Sequence, residues 1–133
     1  MFFIFFAIVI QAILILSVPI NIFPELSLYP WLVTNGLLPF LDFFDHHGFL
    51  LYYLIAPFTP KTYFFLIQSI NLTLVILILK KFTRWYVFFT VLYILLNFFI
   101  AENNLWYEQT ITTGYLLILL FMPRRKILIG IIA

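Results

Sequence analysis

The chain has 133 residues, of which 65% are hydrophobic and 9% are charged, with a net charge of +2 and no cysteine. A soluble domain is about half apolar and about a quarter charged, so this composition argues against a soluble protein and predicts an integral membrane protein. The lack of cysteine excludes disulfides and thiolate metal sites, and the small net charge argues against nucleic-acid binding.

Four apolar stretches are long enough, or nearly so, to cross a membrane as helices, which takes about 20 residues. They cover residues 2–20, 63–79, 85–101 and 105–122. The first has no basic residues before its apolar part and no clear cleavage site, so we interpret it as a span rather than a signal peptide. Residues 127–133, "ILIGIIA", have the composition of a fifth span. The predicted fold is therefore all-α, with four transmembrane helices and the start of a fifth.

The charged residues predict the orientation of these helices. Six of the seven basic residues fall in two alternate connections: Lys80, Lys81, Arg84, Arg124, Arg125 and Lys126. Because basic loops stay in the cytoplasm, the N-terminus is predicted to be cytoplasmic and the long first loop, residues 21–62, to lie outside the plasma membrane. All five acidic residues lie in or beside the external loops. Acids contribute little to that rule, so their segregation points to a separate cause, such as a shared site.

Two segments of the first external loop are predicted to be short helices at the membrane interface. Residues 24–36, "PELSLYPWLVTNG", suit a short amphipathic helix that ends at Gly36, because glycine favours the position that follows a helix. Residues 49–58, "FLLYYLIAPF", are apolar but too short to span. They are predicted to lie at the interface or to dip in beside other helices, with Tyr52 and Tyr53 at the level of the lipid headgroups.

A polar cluster, "DFFDHHG", lies between these two segments. Asp42 and Asp45 are three residues apart, so on a helical turn they share one face with His46 close by. Such a pair suits a general base and its partner, because burial beside a like charge raises the proton affinity of one carboxylate. A divalent metal is a second interpretation, although no zinc or calcium loop pattern is present and no cofactor is predicted. The third is the polar tip of an exposed loop, with Asp and His as turn residues.

Three further acids are candidates for a site. Glu25 follows Pro24 where the first span emerges, so it is either functional or a stabilising charge in the first turn of the short helix. Glu108 lies inside the fourth apolar stretch, and ionisable residues at such depth face a cavity or a partner. Glu102, in "AENNLW", is predicted to be more exposed, beside an asparagine pair that is typical of a turn.

The order of these features resembles the N-terminal part of bacterial GT-C membrane glycosyltransferases, the relatives of dolichyl-phosphate-mannose protein mannosyltransferases and of lipid A aminoarabinose transferases. Their first external loop often reads G-x-x-P-Y-x-D-F-F-x-x-x-x-P-L-x-Y-Y-x-x-A. The matching residues here are Gly36, Pro39, Phe40, Asp42, Phe43, Phe44, Leu50 or Leu51, Tyr52, Tyr53 and Ala56. The resemblance covers residues 24–58 well and the order of the spans loosely.

The resemblance implies transfer of a sugar, with inversion, from a polyprenyl-phosphate donor to an acceptor hydroxyl at the external face. It implies a loop carboxylate as base, which favours Asp42, supported by Asp45. Family members often carry an Asp-Glu pair after the first helix, and here Pro24 replaces the first acid while Glu25 matches the second. The acid of the family's later external loop is matched by Glu108 or, second, by Glu102.

The leaving phosphate requires cations, and the external side offers only three candidates, His46, His47 and Lys61. In the family the remaining cations come from later helices and loops, so we expect the chain to be the N-terminal portion of a larger enzyme that needs its C-terminal part. The alternative is a small non-enzymatic multi-pass membrane protein, such as an assembly or transporter subunit, whose acidic loop docks a partner. Metal transport through Asp42, Asp45 and His46 is a weaker alternative, because the spans hold few polar residues.

Overall fold

The computed structural model describes residues 2–43, 50–100, 104–105 and 107–122 of the chain. The described part is mostly helical, and its only strands are two residues long. The helices are α1 (Phe2–Ser17), α2 (Glu25–Thr34), α3 (Leu50–Ile55), α4 (Pro60–Phe82), α5 (Tyr86–Ile100) and α6 (Tyr107–Phe121), and the strands are β1 (Asn21–Ile22) and β2 (Asn104–Leu105). The prediction of an all-α fold is confirmed.

The four predicted spans correspond to α1, α4, α5 and α6. At about 1.5 Å per residue the 23 residues of α4 extend about 35 Å, whereas the 15 or 16 residues of the other three extend about 22–24 Å. Among the described residues, α4 alone is long and apolar enough to cross a membrane by length and composition. The predicted fifth span, residues 127–133, lies outside the described residues.

Helix α4 is the centre of the bundle and packs against α1, α5 and α6. One apolar cluster joins the end of α1 to the start of α4 and to α2 and α3, through residues such as Ile15, Leu26, Ile55 and Phe64. A second cluster, at the other end, is formed by Ala7, Leu72, Ile76 and Ile94. Burying these side chains between helices supplies the van der Waals contacts that hold the bundle together.

Three side-chain amides cross the bundle in the middle of α4. The Nε2 of Gln11 and the Nδ2 of Asn97 both donate to the Oε1 of Gln68, at 3.3 and 2.9 Å. Gln11 and Gln68 are only 4% and 2% exposed, so water does not compete for these groups. Gln68 therefore binds α1 and α5 to α4 at one level, because a buried polar group must find its partner within the protein.

A second set of polar contacts binds α6 to α4. Asn71 donates from Nδ2 to the carbonyl of Gln109 at 3.0 Å and accepts at Oδ1 from the hydroxyl of Thr113 at 2.6 Å. Further along the same two helices, the Nζ of Lys81 donates to the carbonyls of Leu120 and Met122, both at 2.9 Å. Since a helix leaves its last carbonyls without partners, Lys81 caps α6. The two helices therefore run parallel, with α5 as the returning connection.

The ends of α1 and α5 are joined by a short parallel pair of strands. Asn21 of β1 pairs with Asn104 of β2, and Ile22 pairs with Leu105. Each strand is followed almost at once by a helix, α2 after β1 and α6 after β2. The two-stranded pair therefore places the starts of α2 and α6 at the same end of the bundle.

The short helices α2 and α3 form where the first loop was predicted to be helical. α2 ends in a Schellman motif, in which the amides of Leu37 and Gly36 donate to the carbonyls of Leu32 and Val33, at 3.1 and 3.0 Å. Gly36 has a φ of +83°, which other residues rarely adopt, so the predicted role of this glycine as the helix stop is confirmed.

The placement of one tyrosine differs from the prediction. Tyr53 is 42% exposed, as expected for a residue at headgroup level, but Tyr52 is only 1% exposed. Its ring lies 5.1 Å from that of Tyr29 and 6.3 Å from that of Phe43. Tyr52 therefore joins α3 to α2, because its ring is buried by aromatic contacts that the linear pattern does not reveal.

Replacing Gln68 by Leu is expected to destabilise the bundle more than replacing Gln11 by Leu. Gln68→Leu leaves the buried amide of Gln11 and the partly buried amide of Asn97 without their acceptor, which costs about 1–3 kcal/mol. Gln11→Leu removes only the 3.3 Å bond, together with an Oε1 atom that has no hydrogen-bond partner in the described structure, so it should cost under about 1 kcal/mol.

The measurement is equilibrium unfolding of the purified protein, followed by circular dichroism. Ser69→Ala is the control, because that hydroxyl bonds only to the Phe65 carbonyl of its own helix, at 2.8 Å. An equal loss of stability in the two glutamine variants would contradict the asymmetry.

Candidate functional site

The acidic side chains that the structure describes lie at one end of the bundle, where α4 begins. Glu25 is in the first turn of α2 and Glu108 is in the first turn of α6. Asp42 lies in the loop between α2 and α3. The basic residues at the end of α4, Lys80 and Lys81, lie about 30 Å away along that helix. The segregation of charge predicted from the sequence is thus present between the two ends of the fold.

Glu25 and Glu108 have equivalent positions relative to the strand pair. Glu25 follows Ile22 by three residues, and Glu108 follows Leu105, the partner of Ile22, also by three. Each carboxylate is therefore in the first turn of a helix, where the unpaired amides and the helix dipole favour a negative charge. The loop after α1 and the loop after α5 are brought together here, as a shared site requires.

Glu25 differs from the other described acids in its burial. The residue is partly buried, and its Oε2 atom is inaccessible to solvent and has no hydrogen-bond partner in the described structure. The next residue, Leu26, is 1% exposed and belongs to the apolar cluster. A carboxylate oxygen without a partner in such surroundings requires an explanation, because buried polar atoms are almost always satisfied.

Asp42 is exposed, and its carboxylate closes a turn. Its Oδ2 accepts from the backbone amide of Leu38 at 2.7 Å, and its own amide donates to the Leu38 carbonyl at 2.9 Å. Within this turn Phe40 has a φ of 68°, and its amide donates to the Phe43 carbonyl at 2.7 Å. Asp42 therefore closes a turn in the described part of the polar cluster, whose other polar residues lie outside the described ranges.

The other predicted site residues divide into two groups. Asp45, His46, His47 and Glu102 lie outside the described residues. Lys61 is exposed in the first turn of α4, at the same end as Glu25. Glu108 is exposed as well and is the second residue of α6, so it does not lie deep in the bundle.

Within the described ranges no three His, Cys, Asp or Glu side chains come together in a way that would hold a metal ion.

An apolar groove lies between α3, α4 and α6, beside the acidic end. It has a volume of about 420 Å³ and is lined chiefly by Leu54, Phe58, Leu66, Ile70, Gly114 and Leu117. One wall carries the hydroxyls of Tyr63 and Thr110, which are hydrogen-bonded at 2.8 Å. Gly114 faces open space on the groove wall, since a Cβ built there meets nothing within 4 Å. This groove was not predicted from the sequence, although the small residues Thr110 and Gly114, spaced four apart on one helix, were a usable signal.

Comparisons with known proteins identify no relative of the chain: no family model matches it, and neither curated proteins nor solved structures give a match. The features that bear on function are therefore those of the described residues. These are a half-buried carboxylate, a second acid in an equivalent position, an exposed lysine and an apolar groove, all at one end of the bundle.

Replacing Asp42 by Ala is expected to loosen the turn, whereas Asp42→Asn should preserve it. Alanine removes the acceptor of the Leu38 amide, so that amide should exchange with solvent about 10-fold faster. Asparagine retains a side-chain oxygen in the same position and should exchange at nearly the original rate. Hydrogen exchange of the peptide containing Leu38 measures this, and an unchanged rate in Asp42→Ala would show that the side chain does not hold the turn.

Proposed function

We propose that the chain is a multi-pass protein of the plasma membrane. The distribution of its side chains supports this, because amide side chains are buried at the centre of the bundle while large apolar side chains cover the outside. Phe2, Phe99 and Phe121 are 85%, 71% and 81% exposed, whereas Gln68 and Asn71 are each 2% exposed. A lipid environment accounts for both observations, since lipid covers apolar surface and offers no partner to a polar group.

The proposed orientation follows from the two ends of α4. The connection from α4 to α5 carries Lys80, Lys81 and Arg84, so it is placed in the cytoplasm. The opposite end, with Glu25, Glu108 and α2, then lies outside. α1, α5 and α6 are shorter than a 30 Å hydrocarbon core, and local thinning of the bilayer or polar side chains that reach the interface would accommodate them.

We further propose that the chain contributes to a glycosyltransferase that uses a polyprenyl-phosphate sugar at the outer face. The observation that carries this proposal is the half-buried carboxylate of Glu25, whose Oε2 has no hydrogen-bond partner in the described structure and which lies at the same end of the bundle as the apolar groove. The groove has a size and polarity that suit part of a prenyl chain, and it passes beside the hydroxyls of Tyr63 and Thr110.

In the proposed reaction Glu25 is the general base. Its side chain, whose Oε2 is buried in the described structure, would first turn toward the acceptor; the carboxylate then takes the proton of the acceptor hydroxyl while that oxygen bonds to the anomeric carbon of the sugar. The bond between that carbon and the phosphate oxygen breaks with inversion, and the electron pair leaves with the lipid phosphate. Lys61 is an exposed cation at the same end and would offset part of the charge on the leaving phosphate.

This assignment moves the base from Asp42 to Glu25. The Asp42 carboxylate is exposed and already accepts a hydrogen bond within its turn, so the loop accounts for its position. Glu25 is partly buried and its Oε2 has no hydrogen-bond partner in the described structure, so its carboxylate has an oxygen left to accept from a substrate hydroxyl. Asp42 would then influence the site only by fixing the conformation of its loop. The resemblance at "LDFFD" would in that case concern the structure of the loop and not the identity of the base.

The orientation can be tested with single cysteines, because the chain has none of its own. Ser27 is exposed on α2, and Thr83 lies in the turn after α4. A membrane-impermeant maleimide should label Ser27→Cys in intact cells and Thr83→Cys only after the membrane is opened. Equal labelling of the two variants in intact cells, or recovery of the protein in the soluble fraction, would contradict the proposal.

The reaction can be tested in native envelope membranes, which contain the full chain and would supply the other parts of the proposed enzyme, with a polyprenyl-phosphate donor that carries a radiolabelled sugar. Glu25→Gln should lower transfer of the label by at least about 100-fold, because it removes the base while keeping a similar shape. Asp42→Asn is the matched control and should change transfer by less than about 3-fold, since asparagine preserves the turn.

The same assay separates the proposal from its main alternative. If the original chain transfers no label in its native envelope membranes but is recovered there in a stable complex with another protein, an assembly or transporter subunit is favoured. Equal activity of the Glu25→Gln variant would remove Glu25 from the role of base.

A further inference from the structure

The turn between α4 and α5 forms a second cavity, at the end opposite the acids. It has a volume of about 350 Å³ and is lined by Lys80, Lys81, Phe82, Thr83, Arg84 and Tyr86. Every charged side chain in its lining is basic. The described acids lie at the far end of the bundle, so within the described part of the chain no carboxylate is available to neutralise this cavity.

The three cations of the cavity are not equivalent. Lys81 is committed to the carbonyls at the end of α6, with two bonds of 2.9 Å. Lys80 and Arg84 are exposed. Their charged groups lie over aromatic rings, with the Nζ of Lys80 5.3 Å from the ring centre of Tyr86 and the guanidinium of Arg84 5.5 Å from that of Trp85. These contacts orient two cations of the cavity lining without neutralising them.

The surroundings of the cavity indicate the depth at which it lies. Trp85 and Phe88 are 60% and 61% exposed, and they follow the basic turn directly. Tryptophan beside lysine and arginine at the end of an apolar helix is typical of the headgroup region of a bilayer. A ligand here would have an anionic group among the cations and apolar chains beside the exposed aromatic rings.

We propose that this basic turn binds the phosphate of an anionic phospholipid from the cytoplasmic leaflet. The phosphate would lie between Lys80 and Arg84, and the acyl chains would pass along the exposed faces of α4 and α5, beside Leu77 and Phe88. A free phosphate or an acidic peptide would use the cations but leave the apolar rim uncovered. The site requires the membrane placement proposed above and is independent of the glycosyltransferase proposal.

The experiment compares phospholipids in nanodiscs that contain the full chain, equal amounts of phosphatidylglycerol and phosphatidylcholine, and a radiolabel on one or the other. After dilution into detergent, the purified protein should retain phosphatidylglycerol in preference to phosphatidylcholine. Replacing both Lys80 and Arg84 by Gln should reduce this retention about 30-fold, the effect expected from two surface cations. Asp42→Asn is the control, because it changes an exposed charge at the other end while preserving the turn, and it should change retention less than about 2-fold.

Three results would overturn the proposal. One is equal retention by the original chain and the double glutamine variant, and another is an equal loss in Asp42→Asn. The third is displacement of the labelled lipid by millimolar glycerol phosphate, which would indicate a site for soluble phosphates. A charge-preserving pair, Lys80→Arg with Arg84→Lys, provides a folded comparison and should keep the preference to within a few fold. Failure of the membrane placement is detected separately, by the cysteine labelling at Ser27 and Thr83.

Discussion

The carboxamide of Gln68 fixes the arrangement on which the other features depend. Its oxygen accepts from Gln11 of α1 and from Asn97 of α5, and Asn71, one turn further along α4, binds α6. In an apolar environment these polar groups find few alternative partners, so their pairing selects one axial position for each helix. Apolar contacts alone would allow the helices to slide by a turn at small cost.

This fixed position of the helices determines the chemistry of both ends. At one end α1 and α5 finish at the same level, so that β1 pairs with β2 and the helices α2 and α6 begin side by side. At the other end Lys81 of α4 reaches the last carbonyls of α6. The acids gather where helices begin and the cations where α4 ends, which agrees with the favourable sign of each helix dipole. The proposed transfer site and the proposed lipid site thus use opposite ends of one bundle.

The candidate site was partly predictable from the sequence. The segregation of charge, the short helices of the first loop and the stop at Gly36 followed from composition, length and residue type. The sequence did not indicate which acid to propose as the base. A carboxylate that closes a turn and one that is half-buried with an unpaired oxygen look alike in a sequence. Asp42 has the first environment and Glu25 the second. Tyr52 was misplaced for a similar reason, since its burial depends on Tyr29 and Phe43, which approach from other segments.

By itself the sequence determined the helical class, the approximate extent of each helix and the charge of each end, because these depend on composition and on neighbours along the chain. The tertiary structure decided which helices pair, which acid is left unsatisfied and where the grooves lie. The physical reason is that α1, α4, α5 and α6 are largely apolar around their circumference, so hydrophobic periodicity does not indicate which face turns inward. The inward face is selected by hydrogen bonds between polar groups that are distant in sequence, such as Gln11 with Gln68 and Lys81 with Met122.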